Sequence, residues 1–134
     1  MSKKLGTILL IDDDDATNYL HLYYINKLNF FQKVLVAKNG EEAIDLIHSL
    51  EQEPNLILFD INMPLMNGWE FIEEFECCEL NEKLQSKLVV LSASLNPDDR
   101  KKAEEHPCIE DFIVKPLNSQ KLEEIVRKCF PEHL

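Results

Sequence analysis

Five short apolar runs, separated by segments of helical spacing, constrain what this chain can fold into more than any other feature. The runs fall at residues 7–11, 34–37, 56–59, 88–91 and 112–114. Most are continuous rather than alternating, as in a strand covered on both faces. Between them, residues 15–28 carry Ala16, Leu20, Tyr24 and Leu28 at steps of four. Residues 41–50 carry Ala43, Ile44, Ile47 and Leu50; residues 68–77 carry Phe71, Ile72 and Phe75; residues 118–129 carry Leu122, Ile125, Val126 and Cys129. Such spacing predicts helices with one core-facing stripe each. Asn39 and Glu42 stand at the separation of a helix-capping box. The segment after Pro97, PDDRKKAEEH, is charged almost all round, with Ala103 its one small apolar residue. It predicts the least stable helix. The order βαβαβαβαβα therefore predicts an α/β fold: one parallel sheet, helices on both faces, right-handed crossovers. With no repeat, low-complexity tract or linker, residues 1–134 read as one domain.

The stretch LLIDDDDATN poses the functional question. An apolar run ends abruptly in Asp12, Asp13, Asp14 and Asp15. Like charges this close repel, and burying one unpaired is costly. In an open parallel sheet, ligands bind beyond the carboxyl ends of the strands. The residues there are Asp12 and Asp13 after the first strand, Asp60 after the third, Ser92 after the fourth and Lys115 after the fifth. Three carboxylates in one pocket call for a cation, and hard oxygen donors suit Mg²⁺. Lys115 offers a point charge for a phosphoryl oxygen and Ser92 a hydroxyl donor. A carboxylate can itself be the nucleophile that receives phosphorus.

The charge balance narrows the partners. There are 25 acidic and 14 basic residues, a net charge of −11, which argues against nucleic acid and anionic membranes. No apolar run is long enough to span a bilayer, and the apolar run after Lys3 and Lys4 ends in aspartates without a cleavage site. A cytoplasmic protein is expected. Cys77, Cys78, Cys108 and Cys129 show no metal-ligand spacing and read as reduced, small apolar side chains. His21, His48, His106 and His133 form no local pattern and read as surface or half-buried residues.

Four motifs, in order and each at a strand end, now carry a resemblance along nearly the whole chain. They are the acidic pair Asp12-Asp13, the D-x-x-M-P-x-x-x-G run of Asp60, Met63, Pro64 and Gly68, the Ser92-Ala93 pair, and Lys115-Pro116. The chain resembles the receiver domains of two-component response regulators. The resemblance implies a flavodoxin-like (βα)5 fold, a doubly wound five-stranded parallel sheet in the order 2-1-3-4-5. It implies a phosphoacceptor rather than an enzyme with turnover; because the sequence ends a few residues after the fifth helix, no output domain is expected. Asp60 would take a phosphoryl group from a histidine kinase or phosphotransfer protein. Asp13 would hold Mg²⁺ directly and Asp12 through water, with the carbonyl of Asn62 a further ligand. Ser92 and Lys115 would sense the phosphoryl group, Phe112 would stand at the aromatic switch position, and the Lys115-Pro116 bond would be cis. An output partner would bind the face of helix four, strand five and helix five, a face through which receivers also dimerise.

Some alternatives stay open at this stage. Beside the Asp12-Asp13 pair, Asp14 or Asp15 reads as the cap or first-turn acid of the first helix, and a slip of the metal pair by one residue stays open. LFDIN faintly resembles the start of haloacid-dehalogenase-type phosphatases, which also use an aspartyl-phosphate. An interaction module indifferent to phosphorylation is the third reading.

Overall fold

The computed structural model describes residues 5–49, 54–61, 68–77, 87–92, 97–106, 109–115 and 117–131. Strands and helices alternate: β1 (Leu5–Ile11), α1 (Asp15–Leu28), β2 (Phe31–Ala37), α2 (Gly40–Ser49), β3 (Leu56–Asp60), α3 (Gly68–Cys77), β4 (Lys87–Ser92), α4 (Pro97–Glu104), β5 (Ile109–Val114) and α5 (Ser119–Cys129). Every strand pairing is parallel, in the order β2-β1-β3-β4-β5. This is the flavodoxin-like arrangement, and the winding direction reverses between the neighbouring strands β1 and β3.

The continuous apolar runs are explained by two cores, one on each face of the sheet. Successive strand side chains point to opposite faces. Ile8, Leu10, Leu56, Leu58, Val89 and Leu91 pack against Ile25 of α1 and the α5 residues Leu122, Ile125, Val126 and Cys129. Leu9, Ile11, Ile57, Phe59, Leu88 and Val90 pack against α2 and α3 and reach Ala103 of α4. All five residues of β3 are buried. The edge strands β2 and β5 each begin three residues before their apolar runs. Gln32, Lys33 and Glu110 are exposed there, as an edge strand permits. In β5, Leu88 faces Ile109 and Val89 faces Asp111, so Glu110 is an extra, bulged residue.

Local signals set the helix ends. Asn39 Oδ1 accepts the Glu42 amide at 2.8 Å, as the capping spacing predicts. Asp14 is the N-cap residue of α1, and its carboxylate accepts the Thr17 hydroxyl; Asp15 is the first-turn acid and pairs with Lys38 at 3.0 Å. Asn29 ends α1 in the left-handed region at φ 55°, donating to the Ile25 carbonyl at 3.0 Å. Asn118 caps α5 by accepting the Lys121 amide at 2.8 Å. The helix after Pro97 buries Ala103, while Arg100, Lys101 and Lys102 are exposed.

The stripe expected on α1 is corrected. Ala16 and Leu20 are exposed and Tyr24 and Leu28 half-buried; the inward residues are Asn18, His21 and Ile25. The helix is apolar on several sides, with Tyr19 and Tyr23 also outward, so apolarity does not fix its phase. Asn18 and His21 turn inward because each finds a backbone partner there. His21 is therefore fully buried rather than at the surface or half-buried, while His48 is exposed and His106 half-buried. Cys129 is a buried free thiol, pushed up to about 11 by burial. Leu50, Cys78, Cys108 and His133 lie outside the described residues, as do the side chains of Phe75 and Cys77.

Phe71 is fully buried, its ring centroid 5.6 Å from that of Phe59 on β3. Phe71→Ala is expected to cost about 3–5 kcal/mol through lost burial and a residual cavity. The urea midpoint, at an unchanged dependence on denaturant, reads it.

Candidate functional site

The reversal of winding puts the ends of β1 and β3 side by side, and the acids meet there. Asp12 follows β1 directly and is 2% exposed; Asp60 closes β3 and is 5% exposed. Asp13 is exposed, yet one carboxylate oxygen from each of Asp12, Asp13 and Asp60 lies within 4.8 Å of the others. Asp12 is fixed on several sides. Its amide donates to the Ala37 carbonyl at 3.0 Å, and its Oδ1 accepts the Asp14 amide at 3.0 Å. Its own carbonyl accepts Asn18 Nδ2 at 2.9 Å.

Lys115 supplies the opposing charge from the far side of the sheet. Its Nζ stands 2.6 Å from Asp12 Oδ2 and 3.2 Å from Asp60 Oδ2. Burial works against the Lys115 ammonium and is the largest single influence. The hydrogen bond and attraction of Asp12, joined by Asp60, outweigh it and hold the ammonium above its ordinary range. Three carboxylates against one ammonium leave the cluster with excess negative charge. Oxygen donors this close, with charge still to neutralise, fit a small divalent cation.

Ser92 ends β4, is fully buried, and accepts the Lys115 amide on its carbonyl at 2.7 Å. Phe112 is half-buried on β5, packs on the core layer shared with Ala103, and lines a shallow groove with Arg100 of α4. Trp69 is half-buried, with the His106 ring stacked at 6.0 Å and Lys102 Nζ 5.1 Å from its centroid. Asn62, Met63, Pro64, Ala93 and Pro116 lie outside the described residues, so the Asn62 ligand and the cis bond have no structural account.

Two residues beside the site escaped the sequence reading, Asn18 and His21. Burial first, then repulsion from Lys115, drives His21 from 6.5 down to about 4, against the pull of Asp12. Its Nε2 accepts the Leu117 amide at 3.3 Å. The signal for both was a polar pair three residues apart on a core-facing helix, which acquires meaning once the helix phase is known.

With the geometry in place, comparison with known proteins identifies the class. The response regulator receiver domain family matches residues 8–127, and the chain belongs to it. A two-component response regulator from Cytophaga hutchinsonii has a crystal structure similar to this one. It is 32% identical with a TM-score of 0.87, over 96% of this chain and 99% of that one. Two-component response regulator 24 of Arabidopsis thaliana is 31% identical over 122 residues, 91% of this chain and 82% of that one. The probable C4-dicarboxylate response regulator DctR of Bacillus subtilis is 26% identical over 128 residues, 96% of this chain and 54% of that one. The chain spans about half the length, or less, of several of the curated relatives it matches.

The buried imidazole makes stability depend on pH. The folded chain binds the His21 proton near pH 4, the unfolded chain near 6.5. On acidification the unfolded state is protonated first, so this contribution is present above about 6.5 and lost progressively down to about 4. The loss amounts to about 3 kcal/mol. His21→Leu is expected to flatten the fall in urea midpoint across that window, relative to the parent chain measured alongside.

Proposed function

We propose that the chain is a phosphoacceptor that takes a phosphoryl group onto Asp60 in a Mg²⁺-dependent reaction and signals through a protein partner. The observation that carries this reading is the meeting of Lys115 with Asp12 and Asp60, at 2.6 and 3.2 Å, beside Asp13. The donor is a histidine kinase or phosphotransfer protein carrying phosphohistidine. An Asp60 oxygen forms the new O–P bond as the N–P bond breaks. The electron pair stays on the departing imidazole nitrogen, which takes up a proton. Lys115 and the Ser92 hydroxyl hold phosphoryl oxygens and spread their charge. Asp12, Asp13, Asp60 and the carbonyl of Asn62 are the residues to hold Mg²⁺, which supplies further neutralisation of the transferring group.

In this reading the domain works in the cytoplasm. Its readout is a partner on the face of α4, β5 and α5, which would also serve a homodimer. Ser92 and Phe112 form the switch pair between site and face, and the phosphoryl group shifts the balance between two states of that face. Two observations support the choice of partner. No helix among the described residues is long and apolar enough to cross a membrane. The net charge of −11 disfavours nucleic acid.

The test is intact mass after incubation with acetyl phosphate, with and without Mg²⁺, beside Asp60→Asn. A gain of one phosphoryl group that needs both Mg²⁺ and Asp60 is expected. An equal gain in the variant would overturn the assignment of the acceptor.

A further inference from the structure

We propose that His21 is a positioning residue for the reaction at Asp60: its Nε2 holds the Leu117 amide and, with it, the β5–α5 turn that carries Lys115. The proposal rests on the phosphoacceptor reading of Asp60.

The turn must place a flexible lysine to within a fraction of an ångström, since its ammonium bridges two carboxylates. Three contacts tie the turn to β4 and α5. The Lys115 amide donates to the Ser92 carbonyl at 2.7 Å, Lys121 Nζ donates to the Val114 carbonyl at 2.7 Å, and Asn118 caps α5. None of these ties the turn to α1, the helix whose Asn18 holds the Asp12 carbonyl. The His21–Leu117 bond does so, joining residues 96 apart in sequence. Leu117 and His21 are both fully buried, so solvent cannot stand in for either partner.

The same helix turn holds the other end of the ion pair. Three residues before His21, Asn18 Nδ2 donates to the Asp12 carbonyl at 2.9 Å. Adjacent inward positions of α1 therefore fix the backbone at Asp12 and the backbone at Leu117, two residues from Lys115. The 2.6 Å contact between Lys115 and Asp12 is measured across one rigid helical turn. Accepting an amide requires a lone pair on Nε2, which puts the proton of the neutral ring on Nδ1. Nδ1 has no hydrogen-bond partner among the described residues. A histidine kept for packing alone would gain nothing from this: an apolar side chain would fill the space without a buried, unpaired nitrogen. What the imidazole adds is an acceptor at a fixed point.

The experiment uses the full chain, acetyl phosphate and saturating Mg²⁺, with His21→Leu and His21→Gln beside the parent. Leucine keeps the apolar bulk and removes the acceptor; glutamine keeps an acceptor at similar reach. Misplacing Lys115 is expected to slow phosphorylation of the leucine variant by about tenfold or more. Glutamine is expected to recover most of that loss. A leucine variant as fast as the parent, or a glutamine variant no faster than leucine, would overturn the role. Imidazole ¹⁵N shifts of the parent chain at neutral pH give an independent reading that needs no variant to fold. A ring protonated at Nδ1, with Nε2 correlated to the Leu117 amide, is expected; protonation at Nε2 would overturn the proposal. A parent chain that takes no phosphoryl group overturns the phosphoacceptor reading and this role with it. That outcome is distinct from slow transfer confined to the variants.

Discussion

The contact of Lys115 with Asp12 and Asp60 is the constraint around which the rest is arranged. Two nearly buried carboxylates and a third beside them repel one another, and the protein holds them together at the ends of β1 and β3. A buried ion pair is weak evidence for stability, because desolvating the charges can cost more than their attraction returns. The cluster is therefore better understood as something the fold tolerates than as something that holds it up. The tolerance comes from below: β1, β3 and β4 are covered on both faces by close-packed aliphatic side chains. A sheet packed at that density yields little to repulsion at its edge.

The same geometry explains why the charges come from distant parts of the sequence. Reversal of winding makes β1 and β3 neighbours, so Asp12 and Asp60 converge although α1, β2 and α2 lie between them in sequence. Lys115 arrives from β5, two strands from β3, on a side chain long enough to cross the end of β4. Ser92 lies under that path and fixes the lysine's backbone. A shorter cation at position 115 would not span the distance, and a lysine placed earlier in β5 would lie below the carboxyl edge.

Most of this architecture was legible in the sequence, and the misses have a common cause. β1, β3 and β4 read clearly because burial on both faces leaves an unbroken apolar run. Asp12, Asp60, Ser92 and Lys115 were then placed by topology, since each ends or follows a strand. α5 was legible because its four apolar residues occupy one stripe, and all four are buried. α1 was not. Tyr19 and Tyr23 are apolar and 78% and 56% exposed, while Asn18 and His21 are polar and buried. What turns that helix is hydrogen bonding to Asp12 and Leu117, the second 96 residues away, and no local pattern records such a partner. The edge strands were shortened for a related reason: Gln32, Lys33 and Glu110 suit a strand whose outer side meets water.

These differences leave the two sides of the site unequally supported. Toward β1, the Asp12 backbone bonds to β2 and to α1, and α1 reaches on to Leu117. Toward β5 the support thins: β5 is a half-exposed edge with a bulge, and α4 buries one alanine. The Trp69 stack with His106 and Lys102 adds a surface contact between α3 and α4, weaker than a core one. A new charge on Asp60 would alter the balance at Lys115, whose backbone continues from β5. The α1 side is tied by the Asn18 and His21 side chains to the main chain at Asp12 and Leu117. The elements with the least buried surface open and shift most readily. On this thinner side, Phe112 of β5 and Ala103 of α4 share a core layer.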